Sequence, residues 1–236
     1  MVKKNQGADG HRHRLRERLL AGGRQATADY ELLELLLAYA IPRKDTKPLA
    51  RDLLVRFATL AGVLLQDPER VREVPGLGEL SIALFRLVRE LLARMLEAEV
   101  DAGLRISSPE DVADYVRLRL GPEPRECVLA LCLNSANRLV HRTIVAEGTV
   151  NQSPVYTREV ARLALLHGAT ALILIHNHPS GQPWPSEEDR AMTRQLADAL
   201  ARLDIRLHDH LIVTPSTVYS IMTGRMIHPA PAAATP

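Results

Sequence analysis

The stretch that decides the fold is Ala171-Leu172-Ile173-Leu174-Ile175-His176-Asn177-His178, an apolar run that ends in two histidines. Such a short apolar run, bounded by turn residues, is typical of a buried strand. Side chains two positions apart on a strand point to the same side, so His176 and His178 can face one ion. Pro179 and Gly181 end the strand. The run therefore predicts a buried strand that carries a histidine pair at its carboxyl end.

A helix start follows this strand. Pro185-Ser186-Glu187-Glu188-Asp189 places Ser186 at the N-cap position with an acid three residues later. Asp189 then lies in the first turn, where the helix dipole favours the ionised form that a metal ligand must have. Two imidazoles and one carboxylate leave the fourth tetrahedral position to water, as in catalytic rather than structural zinc sites. The pattern predicts a catalytic metal site formed by His176, His178 and Asp189.

The histidine pair alone is weak evidence, because His11-Arg12-His13 and His208-Asp209-His210 repeat it. Ser186 and Asp189 at fixed later positions reduce the chance of coincidence to roughly one in several hundred. The alternative is a pair of surface or core histidines followed by an ordinary capping box. The combined pattern favours the metal site.

The spacing of His176, His178, Ser186 and Asp189 resembles the signature of JAMM (JAB/MPN-type) metalloproteases, and the longer His-Asn-His-Pro-Ser-Gly segment is similar to the bacterial RadC branch. The resemblance extends over nearly the whole chain, including residues 13–20, 29–36, 42–45 and 209–210. It implies a Zn²⁺ ion held by His176, His178 and Asp189, and a Ser186 that helps to stabilise the oxyanion of a tetrahedral intermediate. It also implies a glutamate base at the start of an earlier strand.

Glu126 best fits the position of that base, since it precedes the β-rich run of residues 127–133. Glu147, at a strand end, and Glu159, in the first turn of a helix, are alternatives. The non-catalytic interpretation of Glu126 is a solvated strand end, and that of Glu159 is a charge that complements the helix dipole. Among the other histidines, we expect His210 to be hydrogen-bonded in the core. Asp209 and His208 could orient the metal ligands.

Charge is distributed unevenly along the chain. The net charge is +2, yet residues 1–25 contain seven basic side chains, namely Lys3, Lys4, Arg12, Arg14, Arg16, Arg18 and Arg24, against only Asp9 and Glu17. A basic arm of this kind is usually a solvated, flexible end, and it can also bind nucleic acid phosphates.

Cysteine use and hydropathy bear on location. Cys127 and Cys132 lie five residues apart on one predicted strand, so we expect buried thiols that face opposite sides and do not form a bridge. The polar amino terminus has no signal-peptide core, and no apolar run approaches the length that spans a bilayer. We expect a cytoplasmic protein with no membrane partner.

The first hundred residues predict helices, including one capped by Asp29, one over residues 48–65, a short one opened by Asp67-Pro68, and a long one from Glu79 to about Glu99. Between the last two helices, Val74-Pro75-Gly76-Leu77-Gly78 resembles the helix-hairpin-helix turn of DNA-binding proteins. Its glycines would let a duplex backbone approach, and amides at the next helix start would hold a phosphate. Glu79 opposes an anion there, and a purely structural turn is the equal alternative.

Downstream of a helix start at Ser108-Pro109-Glu110-Asp111, predicted strands over residues 126–133, 139–146, 171–178 and 209–213 alternate with helices over residues 157–168 and 186–203. This predicts an α/β fold with a mixed sheet sandwiched by helices, after a small all-α helix-hairpin-helix-like domain. The resemblance implies that the sheet is JAB/MPN-like. The predicted divisions are a helical domain with the basic arm (1–102), a metallohydrolase domain (107–228) and a disordered tail (229–236).

The leading interpretation is a zinc-dependent hydrolase that cuts an amide or isopeptide bond in a peptide or protein, with Glu126 as base and Ser186 at the oxyanion. The RadC resemblance adds a link with DNA repair. The alternative is therefore a repair or recombination protein that binds DNA non-specifically through its N-terminal domain, or a nuclease on the same metal site. One carboxylate among three ligands fits amide hydrolysis better than a two-metal nuclease. The open position disfavours a structural metal. The oligomeric state does not follow from the sequence.

Overall fold

The computed structural model describes residues 6–22, 26–102, 105–148 and 156–227. The predicted tail (229–236) lies outside the described residues, as do Lys3, Lys4 and Arg24 of the predicted basic arm. The chain divides into two compact units, Met1–Val88 and Arg89–Pro236.

The first unit is helical, as predicted. Its helices, the last of which continues into the second unit, are α1 (Gln6–Ala21), α2 (Asp29–Ala40), α3 (Lys47–Phe57), α4 (Leu60–Leu64), α5 (Pro68–Arg72) and α6 (Glu79–Asp101). Leu37 of α2, Leu53 of α3 and Phe85 of α6 pack together in its core. Burial of such aliphatic and aromatic side chains is the main stabilising contribution in a small helical unit.

Two predicted details of this unit are wrong. The helix predicted over residues 48–65 is broken by Ala58, whose φ of 67° ends α3, and Thr59 then caps α4 by accepting a hydrogen bond from the Gly62 amide. Helix α2 is capped at Ala28 rather than Asp29, because the Glu31 carboxylate accepts the Ala28 N–H at 3.0 Å.

The described part of the predicted basic arm is helix α1 rather than a flexible end. Leu15 is fully buried, and Arg12 donates hydrogen bonds to the backbone carbonyls of Pro42 (2.6 Å) and Lys44. Arg18 forms an ion pair with Glu31 of α2. Two of the predicted phosphate-binding arginines thus hold α1 in place.

The second unit contains a six-stranded sheet in the order β2-β1-β3-β4-β5-β6. Its strands are β1 (Cys127–Leu133), β2 (Leu139–Glu147), β3 (Ala171–Asn177), β4 (Arg206–Val213), β5 (Val218–Ser220) and β6 (Arg225–Ile227). Only the β3–β4 pair is parallel among the described strands, so the sheet is mixed, as predicted. Strands β5 and β6 were not predicted, because three residues are too few to show a period.

Helices cover both faces of this sheet. Helix α7 (Glu110–Leu120) packs on one face, and α8 (Thr157–Leu166) and α9 (Glu187–Ala201) pack on the other. The predicted sandwich of helices around a mixed sheet is confirmed. Helix α7 begins at Glu110, one residue later than the predicted start at Pro109, and the Asp111 carboxylate accepts the Ser108 amide at 3.0 Å, which is the capping contact expected of an acid three residues after Ser108.

The division between the two units falls inside α6, whereas the predicted boundary follows that helix. Ile82 and Phe85 belong to the core of the first unit, while Leu96 and Val100 pack into the core on the α7 face of the sheet. Each end of α6 therefore contributes to a different hydrophobic core.

The two cysteines are free and buried, as predicted. Cys127 belongs to the core on the α7 face and Cys132 to the core on the α8 and α9 face. Side chains alternate between the two faces along a strand, so two residues that are five positions apart lie on opposite faces.

Among the described residues, no helix combines the length and the apolar character needed to cross a bilayer.

Candidate metal centre

The histidine pair lies at the carboxyl end of the central strand β3. His176 is paired with Val128 of β1 on one side and with Ile212 of β4 on the other, and its side chain is buried. The His178 amide donates to the Val213 carbonyl at 2.9 Å, which continues the strand geometry by one residue. Both imidazoles therefore leave the sheet on the same face, towards α9.

The three predicted ligands converge. His176 Nε2 and His178 Nε2 are 2.8 Å apart, and Asp189 Oδ1 lies 3.4 Å from His176 Nε2. Asp189 Oδ2 is 3.7 Å from His178 Nε2. Nitrogen and oxygen ligands at about 2.0–2.2 Å from a tetrahedral zinc ion are separated by roughly 3.3 Å. The donor set and its spacing fit a divalent ion of this size.

Asp189 is held in place by Ser186 through the predicted capping box. The Asp189 amide donates to Ser186 Oγ at 3.0 Å, and the Ser186 amide donates to Asp189 Oδ2 at 2.8 Å. The Ser186 hydroxyl also donates to Oδ2, at 2.6 Å. Oδ2 thus receives two hydrogen bonds, which fix the carboxylate with Oδ1 towards His176.

A chain of side chains behind the ligands fixes their protonation. Thr193 Oγ1 donates to the Asp189 carbonyl at 2.6 Å, so it accepts from His210 Nδ1, also at 2.6 Å. His210 Nε2 is then the acceptor for His176 Nδ1–H at 2.7 Å. This leaves an unprotonated Nε2 on His176. Burial lowers the pKa of His176 to about 4 and holds that of His210 well below its ordinary value, in keeping with neutral rings.

The Nδ1 of His178 lies 2.7 Å from the Gln182 carbonyl, which only accepts, so Nδ1 carries a proton and Nε2 is the nitrogen left for a metal. A metal ligand must have an unprotonated Nε2. In that form the Nε2 lone pairs of His176 and His178 face each other across 2.8 Å. Two lone pairs at this distance repel, and a cation between the donors removes the repulsion.

The supporting residues were only partly predicted. His210 is buried and hydrogen-bonded, as expected, whereas Thr193 was missed although it lies one helical turn after Asp189, on the same side of α9. His208 contacts Asn137 Oδ1 at 3.0 Å, so its predicted role in orienting the ligands is wrong. Asp209 accepts the His210 amide and the Ser220 hydroxyl, and so acts on the strand rather than on a ligand directly.

Glu126 lies immediately before β1 and is half-buried. Burial raises the pKa of its carboxyl group, His178 lowers it and Asp189 raises it. Glu126 is therefore within electrostatic reach of two of the ligands. The alternatives are placed differently, because Glu147 is an exposed strand end and Glu159 pairs with arginines on the surface of α8.

Asn177, between the two histidines, anchors the segment that carries Glu126. It is fully buried, and its Oδ1 accepts the Cys127 amide at 2.8 Å. Its Nδ2 donates to the carbonyls of Glu123 and Arg125, both at 3.0 Å. The sequence contains this residue in the motif, but its partners lie about fifty positions away and could not be predicted locally.

The loop between the ligands carries the single tryptophan of the chain, Trp184. Its ring is 60% exposed and meets Tyr219 edge-on, with the ring centroids 5.4 Å apart. Gln182, two residues earlier, contacts His178, and Ser186, two residues later, contacts Asp189. The residues two positions before and two positions after Trp184 therefore each contact a ligand of the candidate metal centre.

Comparisons with known proteins agree with this fold. Residues 106–226 match the family described as RadC-like JAB domain, and residues 10–83 match the UPF0758 N-terminal domain. A UPF0758 protein of Rhodobacter capsulatus is 44% identical over 199 residues, covering 84% of this chain and 93% of the relative. A UPF0758 protein of Ruegeria pomeroyi is 44% identical over 210 residues, covering 89% and 94%. One from Neisseria gonorrhoeae is 41% identical over 207 residues, covering 88% and 92%. The chain therefore belongs to the RadC-like JAB domain family, within the UPF0758 proteins.

Proposed function

We propose that the protein is a zinc-dependent metallohydrolase of the JAMM type that cleaves an amide or isopeptide bond in a peptide or protein. The observation that carries the proposal is the convergence of His176 Nε2 and His178 Nε2, 2.8 Å apart, beside the Asp189 carboxylate. Zn²⁺ held by these three residues would polarise the scissile carbonyl and lower the pKa of a water molecule.

Glu126 is the proposed base. Burial raises the pKa of its carboxyl group, which brings its proton affinity closer to that of the water it must deprotonate. Its carboxylate would take one proton as the water oxygen bonds to the carbonyl carbon, and would deliver that proton to the nitrogen as the C–N bond breaks.

Ser186 is the proposed oxyanion-stabilising residue. Its single hydroxyl proton is donated to Asp189 Oδ2 at 2.6 Å, so this role requires the hydroxyl to turn from the carboxylate to the oxyanion, while the Ser186 amide continues to hold Asp189. Losing it would therefore affect both the ligand and the oxyanion.

The number of carboxylates favours amide hydrolysis over phosphodiester cleavage. Within the part of the chain that the structure describes, the only group of three or more metal-binding side chains is His176, His178 and Asp189. Two-metal nucleases bridge their ions with several carboxylates. Because both cysteines are free and buried, the cytoplasm is the proposed location.

The test combines metal analysis with an unbiased screen of peptides, isopeptides and DNA on the purified full chain. We expect about one zinc ion per chain, and Glu126→Gln should keep the metal while losing about 10²–10⁴-fold in amide hydrolysis. The matched control is Glu147→Gln, an exposed glutamate at the end of β2, which should keep full activity. Zinc-loaded protein that hydrolyses no amide in the screen, or a fully active Glu126→Gln, would overturn the proposal.

DNA binding by the first unit is a second candidate function. Gly76 has a φ of +95° in the turn between α5 and α6, and a side chain at Gly78 would meet no atom within 4 Å. The backbone at this turn is therefore open to a close approach by a phosphate. Arg72 pairs with Glu79 at 3.1 Å, which offsets the negative charge at the start of α6.

The DNA proposal is tested by fluorescence anisotropy with a labelled duplex at about 50 mM and about 200 mM salt, where phosphate contacts predict a steep loss of affinity. Arg14→Glu with Arg16→Glu, both exposed on α1, should weaken binding. Salt-independent binding, or no binding at the lower salt concentration, would contradict it.

A further inference from the structure

A second cleft lies at the end of the sheet opposite the candidate metal centre. It is formed where β3 and β4 begin, whereas the metal centre lies at the carboxyl end of β3. Its volume is about 580 Å³, which is in the range of small-molecule sites, and every residue that lines it belongs to the second unit. This amino-end cleft has a polar lining of Ser135, Asn137, Thr170, Asp204, Arg206 and His208.

One of the lining residues, His208, is the extra residue of a β-bulge. The adjacent residues 172 and 173 of β3 pair with Leu207 and Asp209, so His208 is passed over in this pairing. Leu207 and His210 both face α9, although residues three apart on a regular strand face opposite sides. Bulges re-aim a side chain and are over-represented beside functional sites. The irregularity in β4 thus coincides with the cleft.

Two opposite charges line the cleft without neutralising each other. Asp204 and Arg206 are both exposed, and within the described ranges neither side chain forms an ion pair or a hydrogen bond. The two residues are two positions apart, so their Cα atoms are separated by at most about 7.6 Å. A ligand that carries a positive and a negative group a short distance apart would be complementary to both.

The other polar groups of the cleft suit the same kind of ligand. Burial and, second, Arg206 lower the pKa of the His208 imidazole, so the ring is neutral. Its Nε2 lies 3.0 Å from the side-chain oxygen of Asn137, so Nε2 carries the proton and Nδ1 is an acceptor. The hydroxyls of Ser135 and Thr170 can donate to a carboxylate or accept from an ammonium group.

We propose that the amino-end cleft binds a free α-amino acid, with its carboxylate on Arg206 and its ammonium group on Asp204 and His208 Nδ1. A single carbon atom separates the two charged groups of an α-amino acid, which suits two charges of the cleft that lie two positions apart in the chain. An inorganic anion would be repelled by Asp204, and a simple amine would be repelled by Arg206. The proposal concerns a site separate from the metal centre and does not depend on hydrolysis.

Isothermal titration calorimetry of the full chain with each of the twenty standard amino acids in turn tests the proposal. We expect at least one of them to bind with a dissociation constant below about 1 mM. The N-acetyl derivative and the methyl ester of that amino acid each lack one charge, and each should bind about 10-fold or more weakly. The affinity should be the same in zinc-loaded and in chelator-treated protein, because an amino acid that binds only through zinc belongs to the metal centre.

Substitutions on the wall of the cleft locate the site. Asp204→Asn and Arg206→Gln should each weaken binding of that amino acid by about 10-fold or more. Both positions are exposed, and asparagine tolerates the φ of 56° at residue 204, so the fold should persist, as circular dichroism will verify. The matched controls are Asp198→Asn and Arg202→Gln, which change exposed charges at the end of α9 and directly after it, outside the cleft.

Four outcomes would each overturn the proposal. These are no amino acid that binds below about 1 mM, derivatives that bind as tightly as the parent amino acid, wild-type affinity in Asp204→Asn or Arg206→Gln, and binding that requires zinc. Because none of these measurements uses hydrolysis, a failure here is distinguishable from a failure of the hydrolase proposal.

Discussion

The ion pair on helix α2 of the helical unit and the imidazoles at the candidate metal centre of the α/β unit differ in how their polar groups meet. In the helical unit, complementary groups meet, since the buried Glu31 pairs with Arg18 and accepts the Ala28 amide. At the candidate metal centre three imidazoles stand in a row. His176 donates from Nδ1 to His210 at 2.7 Å, a complementary contact, whereas His178 and His176 meet through their Nε2 atoms, which are 2.8 Å apart.

This difference separates structural from functional polar groups. Complementary pairs satisfy each other's hydrogen-bonding capacity and stabilise the fold. Facing lone pairs do not, and a protein retains such an arrangement where it binds something that the fold itself does not supply. If this is correct, substitutions in the imidazole row should change metal binding, and substitutions in the ion pairs of the helical unit should change stability alone.

The largest expected effect is that of Asp189→Ala on zinc binding. It removes the only negatively charged ligand, so we expect the affinity to fall by about 10³-fold or more. Competition with a chromophoric chelator measures it on the full chain. Asp198→Ala is the matched control, because Asp198 is an exposed acid on the same helix. Equal zinc affinity in Asp189→Ala and the wild type would show that the ligand set is wrong.

How much of this site could be predicted depends on distance along the chain. The histidine pair and the Ser186 capping box are local patterns, set by the period of a strand and by the first turn of a helix. His210 meets His176 from 34 positions away and Thr193 from 17, through the β3–β4 pairing and the packing of α9. The order of strands in the sheet decides those contacts, and no local pattern contains it.

The same limit applies to the fold. The sequence of α6 shows apolar residues on two sides, but only the packing of Phe85 and Val100 into their cores decides which side is buried. The break at Ala58 escaped prediction because nothing in the neighbouring residues indicates a positive φ for an alanine.

The second largest effect is acid destabilisation of the metal-free protein. Burial lowers the pKa of His176 from 6.5 to about 4, so between these values the unfolded chain binds a proton that the folded chain does not. The free energy of unfolding should therefore fall as pH falls through this window, by up to about 3 kcal/mol for this residue. Asp209 has the opposite effect on the free energy of unfolding. Burial raises the pKa of its carboxyl group, so the folded chain holds a proton that the unfolded chain releases.

Urea denaturation in the presence of a chelator, at a series of pH values across that window, measures the effect. His176→Gln should flatten the profile. An unchanged profile in His176→Gln would show that burial of the neutral His176 ring does not lower the free energy of unfolding at acidic pH.

A smaller effect is expected from Thr193→Val, which keeps the shape of the side chain but removes the hydroxyl between His210 and the Asp189 carbonyl. Loss of a group that orients a metal ligand typically lowers affinity by about 10–100-fold. Thr193→Ser keeps the hydroxyl and should restore most of it. If Thr193→Ser is as impaired as Thr193→Val, packing rather than the hydrogen bond supports the ligands.

The smallest effect belongs to the helical unit. Arg18→Ala removes the ion pair with Glu31, and because the Arg18 side chain is 51% exposed, salt and solvent screen the pair. We expect a loss of at most about 1 kcal/mol in the free energy of unfolding, smaller still at high salt. Zinc affinity should not change, because Arg18 and Glu31 form hydrogen bonds with each other and contact none of the three imidazoles. Arg14→Ala, an exposed neighbour on α1, is the control in the same urea titrations. A change in zinc affinity with Arg18→Ala would show that the Arg18–Glu31 ion pair of the helical unit is coupled to the metal ligands of the α/β unit. Structural and functional polar groups could then not be separated in this way.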